Sequence, residues 1–480
     1  MAARKTTKKA KVTKPVAKKT ASKKKRAARA TKKKSTPKAL PSNDKFRIKV
    51  RMYRQGLGDC FLLTIPRNNG SPFYAVIDCG VILGTQDSTR IMTEVVEHII
   101  KTTGGHVDLV VATHEHWDHI SGFGQASEIW ADKSRLTIGA VWLSWAEDSK
   151  NSLARKLRGE RQALKIALNA AASRMRLAGD SRGAEDVTNL LSFFGAVSTA
   201  DALEVVKDLS ENIRYCTPKD DPFQIPDSDV KVYVLGPPPD EKLIKKYNPS
   251  KREPETYGMD AMNNYLSALQ PTLSDTDLET PFDEGFQIPL HVAEQMPFFQ
   301  QYYWGEDAES DEKDQAWRRI DGSWLDSSSS LALQLDSATN NTCLVLAFEL
   351  SDGDVLLFAA DAQVGNWLSW QDLKWKVNGN DVTGPDLLRR TIFYKVGHHG
   401  SHNATLRELG LEKMEKLELA FVPVDREMAV KKRWNQMPLN DLMKRLNEIT
   451  DERVVRIDSD IPAKLSKRMT PDKLFHEIVL

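Results

Sequence analysis

Apolar residues stand at every second position in Phe46, Ile48, Val50 and Met52, which predicts a half-buried strand at the start of the patterned chain. Gly56-Leu57-Gly58-Asp59 predicts a tight turn, and residues 60–66 and 73–78 predict two strands joined by a hairpin turn at Arg67-Asn68-Asn69-Gly70. Over residues 88–102 the period changes, with Ile91, Val95, Val96, Ile99 and Ile100 on one helical face. Residues 107–113 form a continuous apolar run, as a buried strand requires, and 136–142 is another strand-like run. Helical periodicity dominates from about 150 to 210, and 230–235 reads as a strand stopped by Gly236 and three prolines. Residues 237–325 are irregular and acidic, with an aromatic run from Phe298 to Trp304 expected to pack rather than to stack on bases. Strands are predicted again at 331–335, 342–350, 355–360, 392–396, 419–424 and 454–457, with a helix at 438–447.

Charge adds a segment that hydrophobic patterning does not reveal. Across 480 residues the net charge is only +2, but residues 1–40 carry 17 Lys or Arg and no acidic residue. The remainder holds 51 basic and 66 acidic residues, a net of −15. A stretch built from Lys, Arg, Ala, Thr, Ser and Pro buries too little apolar surface to offset its ordering entropy, so a disordered basic tail is expected over 1–43. Such a tail suits a polyanion, and nucleic acid is the obvious one, with Lys23, Lys24, Lys25 and Arg26 as contacts. Between 150 and 182 nine basic residues, Arg155 and Arg158 among them, share an amphipathic helix with Leu153, Leu157, Leu164 and Leu168, and its basic face is a second expected contact. From 255 to 316 the sign reverses, with fourteen acidic residues against one lysine, and this segment could pair with the tail. The expected organisation is tail 1–43, first half of the fold 44–149, helical and acidic insertion 150–326, and second half 327–480.

Four scattered cysteines exclude a disulfide-stapled scaffold and make a cysteine zinc site unexpected. The longest apolar runs fall far short of the roughly 18–20 residues of a membrane span, and no secretory leader is read. A soluble intracellular protein is expected.

Candidate chemistry lies in two histidine clusters. Three of ten histidines fall in Thr113-His114-Glu115-His116-Trp117-Asp118-His119, after a predicted buried strand. No packing need explains three imidazoles and a carboxylate in seven residues, and such donors suit Zn²⁺, Mn²⁺ or Fe. The second cluster is Lys395-Val396-Gly397-His398-His399-Gly400-Ser401-His402. Between them an apolar strand ends in Asp361, a carboxylate that is expensive to bury unless it meets a cation.

These residues resemble the metallo-β-lactamase fold superfamily through His114-x-His116-x-Asp118-His119. More specifically the chain is similar to the hydrolase domain of ComEC-type competence proteins and their stand-alone relatives, mostly bacterial. It shares with them, in order, Gly56-Leu57-Gly58-Asp59, Ile77-Asp78-Cys79-Gly80, Asn340 to Leu346 with Cys343 in place of serine, Ala360-Asp361, and His398 to Ser401. The resemblance implies an α/β (α+β layered) αββα sandwich with two divalent cations, Zn²⁺ or Mn²⁺. His114 and His116 would hold the first, Asp118, His119 and one of His398 and His399 the second, and Asp361 would bridge. Asp78 would orient a ligand imidazole, and Asp59 would lie near the site. Two departures stand out. The histidine that many members supply between the signature loop and the bridging carboxylate has only His291 as a counterpart, either a ligand or an ordinary surface residue. The His-Pro pair common near the C-terminus is replaced by Lys432-Arg433-Trp434-Asn435-Gln436-Met437-Pro438.

The function this implies is metal-dependent hydrolysis of a phosphodiester in nucleic acid, with little sequence specificity, by a cytoplasmic, nucleoid-associated enzyme. Asp118 belongs to its catalytic centre, and His399 or His402 would protonate the leaving oxygen or donate to the phosphate. The alternatives are a small ester or lactone hydrolase lidded by the insertion, and a non-catalytic, metal-bearing protein that binds an unknown partner. No membrane contact is expected.

Overall fold

The computed structural model describes residues 46–177, 181–191, 198–246, 288, 290–293, 295–304, 335 and 337–480. The chain divides after Ala39, and every described residue belongs to the unit Leu40–Leu480. The basic tail, most of the acidic segment 255–316 and the side chain of His291 lie outside the described residues.

Two mixed sheets face one another. The first runs β16-β17-β1-β2-β3-β4-β5-β6, where β1 is Lys49–Tyr53, β2 Cys60–Ile65, β3 Phe73–Cys79, β4 His106–Ala112, β5 Thr137–Ser144, β6 Ile213–Cys216, β16 Met469–Pro471 and β17 Phe475–Val479. Its β3 to β6 part is parallel and the rest antiparallel. The second runs β15-β14-β13-β10-β9-β8-β7, where β7 is Phe223–Gln224, β8 Lys231–Gly236, β9 Val345–Glu349, β10 Val355–Phe358, β13 Thr391–Lys395, β14 Leu419–Val422 and β15 Val454–Arg456. A two-stranded ribbon, β11 (Lys374–Val377) with β12 (Asn380–Thr383), stands apart.

Strand alternation sorts side chains into three layers of core. Phe61, Leu63, Ile77 and Val111 of the first sheet meet Leu346, Phe348, Phe358, Phe393 and Phe421 of the second between the sheets. On the outer face of the first sheet Leu62, Val76 and Val110 pack under α1 (Ser88–Thr103), α2 (Trp117–Gln125), α3 (Ser127–Ala131) and α6 (Ser198–Asp208), through Val95, Ile99, Phe123, Trp130 and Val206. On the outer face of the second, Val345, Ala347, Leu357, Tyr394 and Val422 join Trp367, Leu388, Leu442 and Leu446. Burial of both faces explains why the central strands read as continuous apolar runs. The architecture is therefore the expected αββα sandwich.

Between 150 and 210 the described residues are mainly helical as the periodicity predicts, in α4 (Ser152–Leu177), α5 (Ser181–Leu191) and α6. The stretch 150–326 also holds sheet-forming sequence, because β6 extends the first sheet and β7 and β8 the second. Of the strand predicted at 331–335 only Leu335 is described, and it is helical. Among the described residues no helix is long and apolar enough to cross a membrane.

Candidate metal centre

The two sheets bring their strand ends together at one edge, where the histidine clusters meet. The loop after β4 supplies His114, His116, Asp118 and His119, the end of β10 supplies Asp361, and the turn after β13 supplies His399. All six are buried, none more than 1% exposed. Ligand-type atoms of Asp118, His119, Asp361 and His399 lie within 4.8 Å of one another, and so do those of His114, His116 and Asp361. Asp361 belongs to both groups.

Backbone fit makes this convergence possible. A Cβ on Gly80 would lie 2.4 Å from the Asp118 carbonyl oxygen and 2.5 Å from the His119 nitrogen. A Cβ on Gly58, whose φ is +147°, would lie 2.6 Å from that same oxygen. Both turns therefore press directly against the histidine loop, and the Asp59 N–H donates to the Asp118 carbonyl at 2.9 Å. Asp78, Ala360, His398 and His399 all have positive φ, between +41° and +57°. For residues other than glycine that conformation costs about 1–3 kcal/mol each, which the surrounding packing must offset.

Hydrogen bonds define the imidazole tautomers. His399 Nδ1 is 2.8 Å from the Pro423 carbonyl, which can only accept, so Nδ1 carries the proton and Nε2 faces inward, 2.8 Å from Asp118 Oδ2. His119 Nδ1 donates to Asp78 Oδ2 at 2.8 Å, which turns its Nε2 toward Asp361 Oδ2 at 3.1 Å. Thr113 donates its N–H and its hydroxyl to Asp78, both at 2.7 Å, and its Oγ1 lies 3.1 Å from His114 Nδ1. The inner nitrogen of His114 and Oδ1 of Asp118 are buried without a hydrogen-bond partner. Unpaired inward lone pairs are what a cation would satisfy. The four facing separations between His119, His399, Asp118 and Asp361 run 2.8, 3.1, 3.6 and 3.9 Å. They bracket the ~3.3 Å edge of a tetrahedron with bonds of about 2.0 Å, the zinc geometry. The residues present thus fit a divalent cation in each group.

Electrostatics agree. Burial lowers His114, and the neighbouring His119 adds to it, so the imidazole stays neutral; His116 is held down to about 3, chiefly by burial. Burial also opposes charge on His399, but Asp361 and the hydrogen bond to Asp118 outweigh it and its pKa rises. Burial pushes Asp361 up, yet His119, His399 and Lys395 together hold it well below the carboxylate range.

Lys395, which the sequence suggests only as a support for the strand end, sits among the clustered carboxylates. It is 1% exposed, donates to the Ala360 carbonyl at 2.9 Å, pairs with Asp59 and lies 3.5 Å from Asp361. A third ligand-type group, Asp59, Asp78 and His119, therefore already faces a cation. The rule that singled out Asp361, a charge ending an apolar strand, applies equally to Lys395 at the end of β13.

The sequence left open whether His398 or His399 joins the second group. Only His399 enters the cluster; the His398 Nδ1 lies 2.7 Å from the Ser401 hydroxyl and its Nε2 3.2 Å from the Asn340 amide. His402 is exposed on the same turn. Arg155 donates to the carbonyls of Ser149 and Lys150 at 3.0 and 2.9 Å, and Arg158 to that of Ala146 at 3.2 Å, so both are engaged within the chain. Lys23, Lys24, Lys25 and Arg26 lie outside the described residues.

A sequence model of the family described as Metallo-beta-lactamase superfamily matches residues 55–157, from the Gly-Leu-Gly-Asp turn through the histidine loop into α4. The match supports a metallo-β-lactamase superfamily domain, and with the clustered ligand-type side chains it points to metal-dependent hydrolysis. No curated protein matches the chain.

Proposed function

We propose that this protein is a dinuclear metallohydrolase that cleaves phosphodiester bonds in nucleic acid, using Zn²⁺ or Mn²⁺. The observation that carries the reading is the place of Asp361 in both ligand groups, as a bridging carboxylate requires. Charge balance supports the number two. Asp59, Asp78, Asp118 and Asp361 are each at most 1% exposed, and Lys395 is the lysine among them. Their sum of −3 becomes +1 with two divalent cations, leaving room for one anionic group from solvent or substrate; a single dication would leave buried negative charge, which is costly.

His114 and His116 would hold one cation, Asp118, His119 and His399 the other. When bound, such a pair supplies Lewis acidity and an activated water. The chain supplies orientation: Asp78 and the Pro423 carbonyl hold the imidazoles of His119 and His399, and Lys395 holds Asp59 and Asp361. With His399 engaged on both nitrogens, His402 is the histidine left to donate a proton to a leaving oxygen.

Nucleic acid as substrate draws on the likeness to ComEC-type hydrolases and on the basic tail, which would tether a polyanion and make turnover salt-dependent. A cytoplasmic, nucleoid-associated setting goes with that substrate. The engagement of Arg155 and Arg158 within the chain shifts the weight from α4 to the tail. Burial of all six ligand-type residues favours a second reading, a small ester or lactone as substrate.

The deciding assay uses metal-stripped protein with Zn²⁺, Mn²⁺ or Mg²⁺ restored singly, and single- and double-stranded DNA and RNA. Metal-dependent cleavage absent from Asp118→Ala/His119→Ala supports the nuclease. Full turnover by that variant overturns the site. Metal uptake without cleavage moves the substrate to a small ester, to be checked on ester and lactone panels.

A further inference from the structure

We infer that Arg161 is a positioning residue that locks the loop bearing His114 and His116 onto α4, so that this helix holds the geometry of the first cation's ligands. Arg161 lies on α4 yet is only 5% exposed. Its Nε donates to Oε1 of Glu115 at 3.1 Å, and Glu115 is the residue between the two histidines. Its Nη2 lies 3.6 Å from Oε1 of Glu147, which follows β5 and is 2% exposed. Arg158, one turn earlier on α4, stands 3.7 Å from the other oxygen of Glu147.

Two guanidinium groups and two carboxylates, with Lys165 also acting on Glu115, thus make a partly buried cluster that ties one helix to the loops after two adjacent strands. The planar guanidinium presents its donors in a rigid fork and so fixes the direction of each carboxylate it meets, where an ammonium on a flexible stem does not. The imidazoles of His114 and His116 turn toward Asp361, while the carboxylate between them is engaged on α4. Without Arg161, Glu115 loses its closest cation and keeps only the weaker influence of Lys165 and Arg158, and a dication held by His114 and His116 would compete for it. A basic residue on an amphipathic helix is ordinarily a solvated one; here burial and two carboxylate partners give it a different task.

The inference rests on the metal reading above, and its test separates the two. Full-length Arg161→Met, Glu115→Gln, the double variant and Arg161→Lys are titrated with Zn²⁺ and with Co²⁺, whose visible absorption reports ligand geometry. Each single removal, with its far-ultraviolet circular dichroism unchanged, is expected to bind metal about 10–100-fold more weakly and to shift the Co²⁺ band. The double variant is expected to be no weaker than the singles, because the pair acts as one unit. Arg161→Lys is expected to recover part of the affinity. Folded Arg161→Met or Glu115→Gln with wild-type affinity and band overturns the clamp alone. Wild-type protein that takes up no metal overturns the metal reading and the clamp with it. If Arg161→Met does not fold, Glu115→Gln, which preserves side-chain volume, decides.

Discussion

Asp78 and His119, forty-one residues apart, share a buried hydrogen bond of 2.8 Å that turns the imidazole's other nitrogen toward Asp361. Asp78→Asn keeps the shape but can present an N–H where an acceptor is needed. It should weaken metal binding about 10–100-fold with little change in fold. Competition with a chromogenic chelator would measure it, and wild-type affinity would remove Asp78 from the orienting role.

Four buried carboxylates gather at the site, and in the metal-free protein they draw protons onto His119 and His399 as well as holding Lys395, charges that a cation would replace. Binding only the folded form, a cation at one hundred times its dissociation constant should add about 2.7 kcal/mol to unfolding stability for each site filled. Urea titrations with and without Zn²⁺ check this, and a chelator should reverse the gain. No stabilisation by Zn²⁺, Mn²⁺ or Mg²⁺ would count against the site.

Lys395→Met removes the fixed cation from Asp59 and Asp361. Breaking one partner of a buried charge set costs about 3–5 kcal/mol, so the metal-free variant should lose stability on that scale. Adding Asp59→Asn should restore part of it, because the orphaned charge is then gone. The urea midpoints of the three proteins decide.

Gly80→Ala should be disproportionately harmful for one methyl group. Its Cβ meets peptide atoms of Asp118 and His119 rather than flexible side chains. Overpacking of this kind costs about 1–3 kcal/mol. Metal affinity should fall along with the melting temperature, since the displaced backbone carries two ligand-type residues.

His476 offers a pH signature away from the metal residues. Burial above all, with Arg54 nearby, brings its pKa from 6.5 down to about 4, and it donates to the Ser459 carbonyl at 3.1 Å. Because the folded pKa is the lower one, the unfolded chain takes up the proton first as pH falls. This histidine's contribution is intact above pH 6.5 and declines between about 6.5 and 4. The stability difference between wild type and His476→Gln should shrink across that window in metal-free buffer, and a constant difference would contradict the assignment.

Much of the fold was legible because both faces of the central strands are buried, which writes them as apolar runs. The histidine loop stood out because such side chains have no reason to cluster in a core. Other features are not encoded in pattern. His398 and His399 are adjacent and chemically identical, and left-handed backbone at both decides which imidazole turns inward. The basic residues of α4 repeat at helical spacing whether they face water or carboxylates, so Arg161 read as part of a solvated face. The run at 230–235 reads as a strand and is β8, but β6 and β7 are too short to show a period, which hid the reach of both sheets into 150–326.

The facing pair His399 and Asp118 is separated by 281 residues of chain. During synthesis the first half, with its signature loop, leaves the ribosome long before residue 399 does. A cation met early would find only the imidazoles and carboxylate of one loop, without Asp361, which faces both groups. On the proposed metal reading, tight loading would wait for the second sheet to dock, and metal occupancy would report that the whole sandwich has closed.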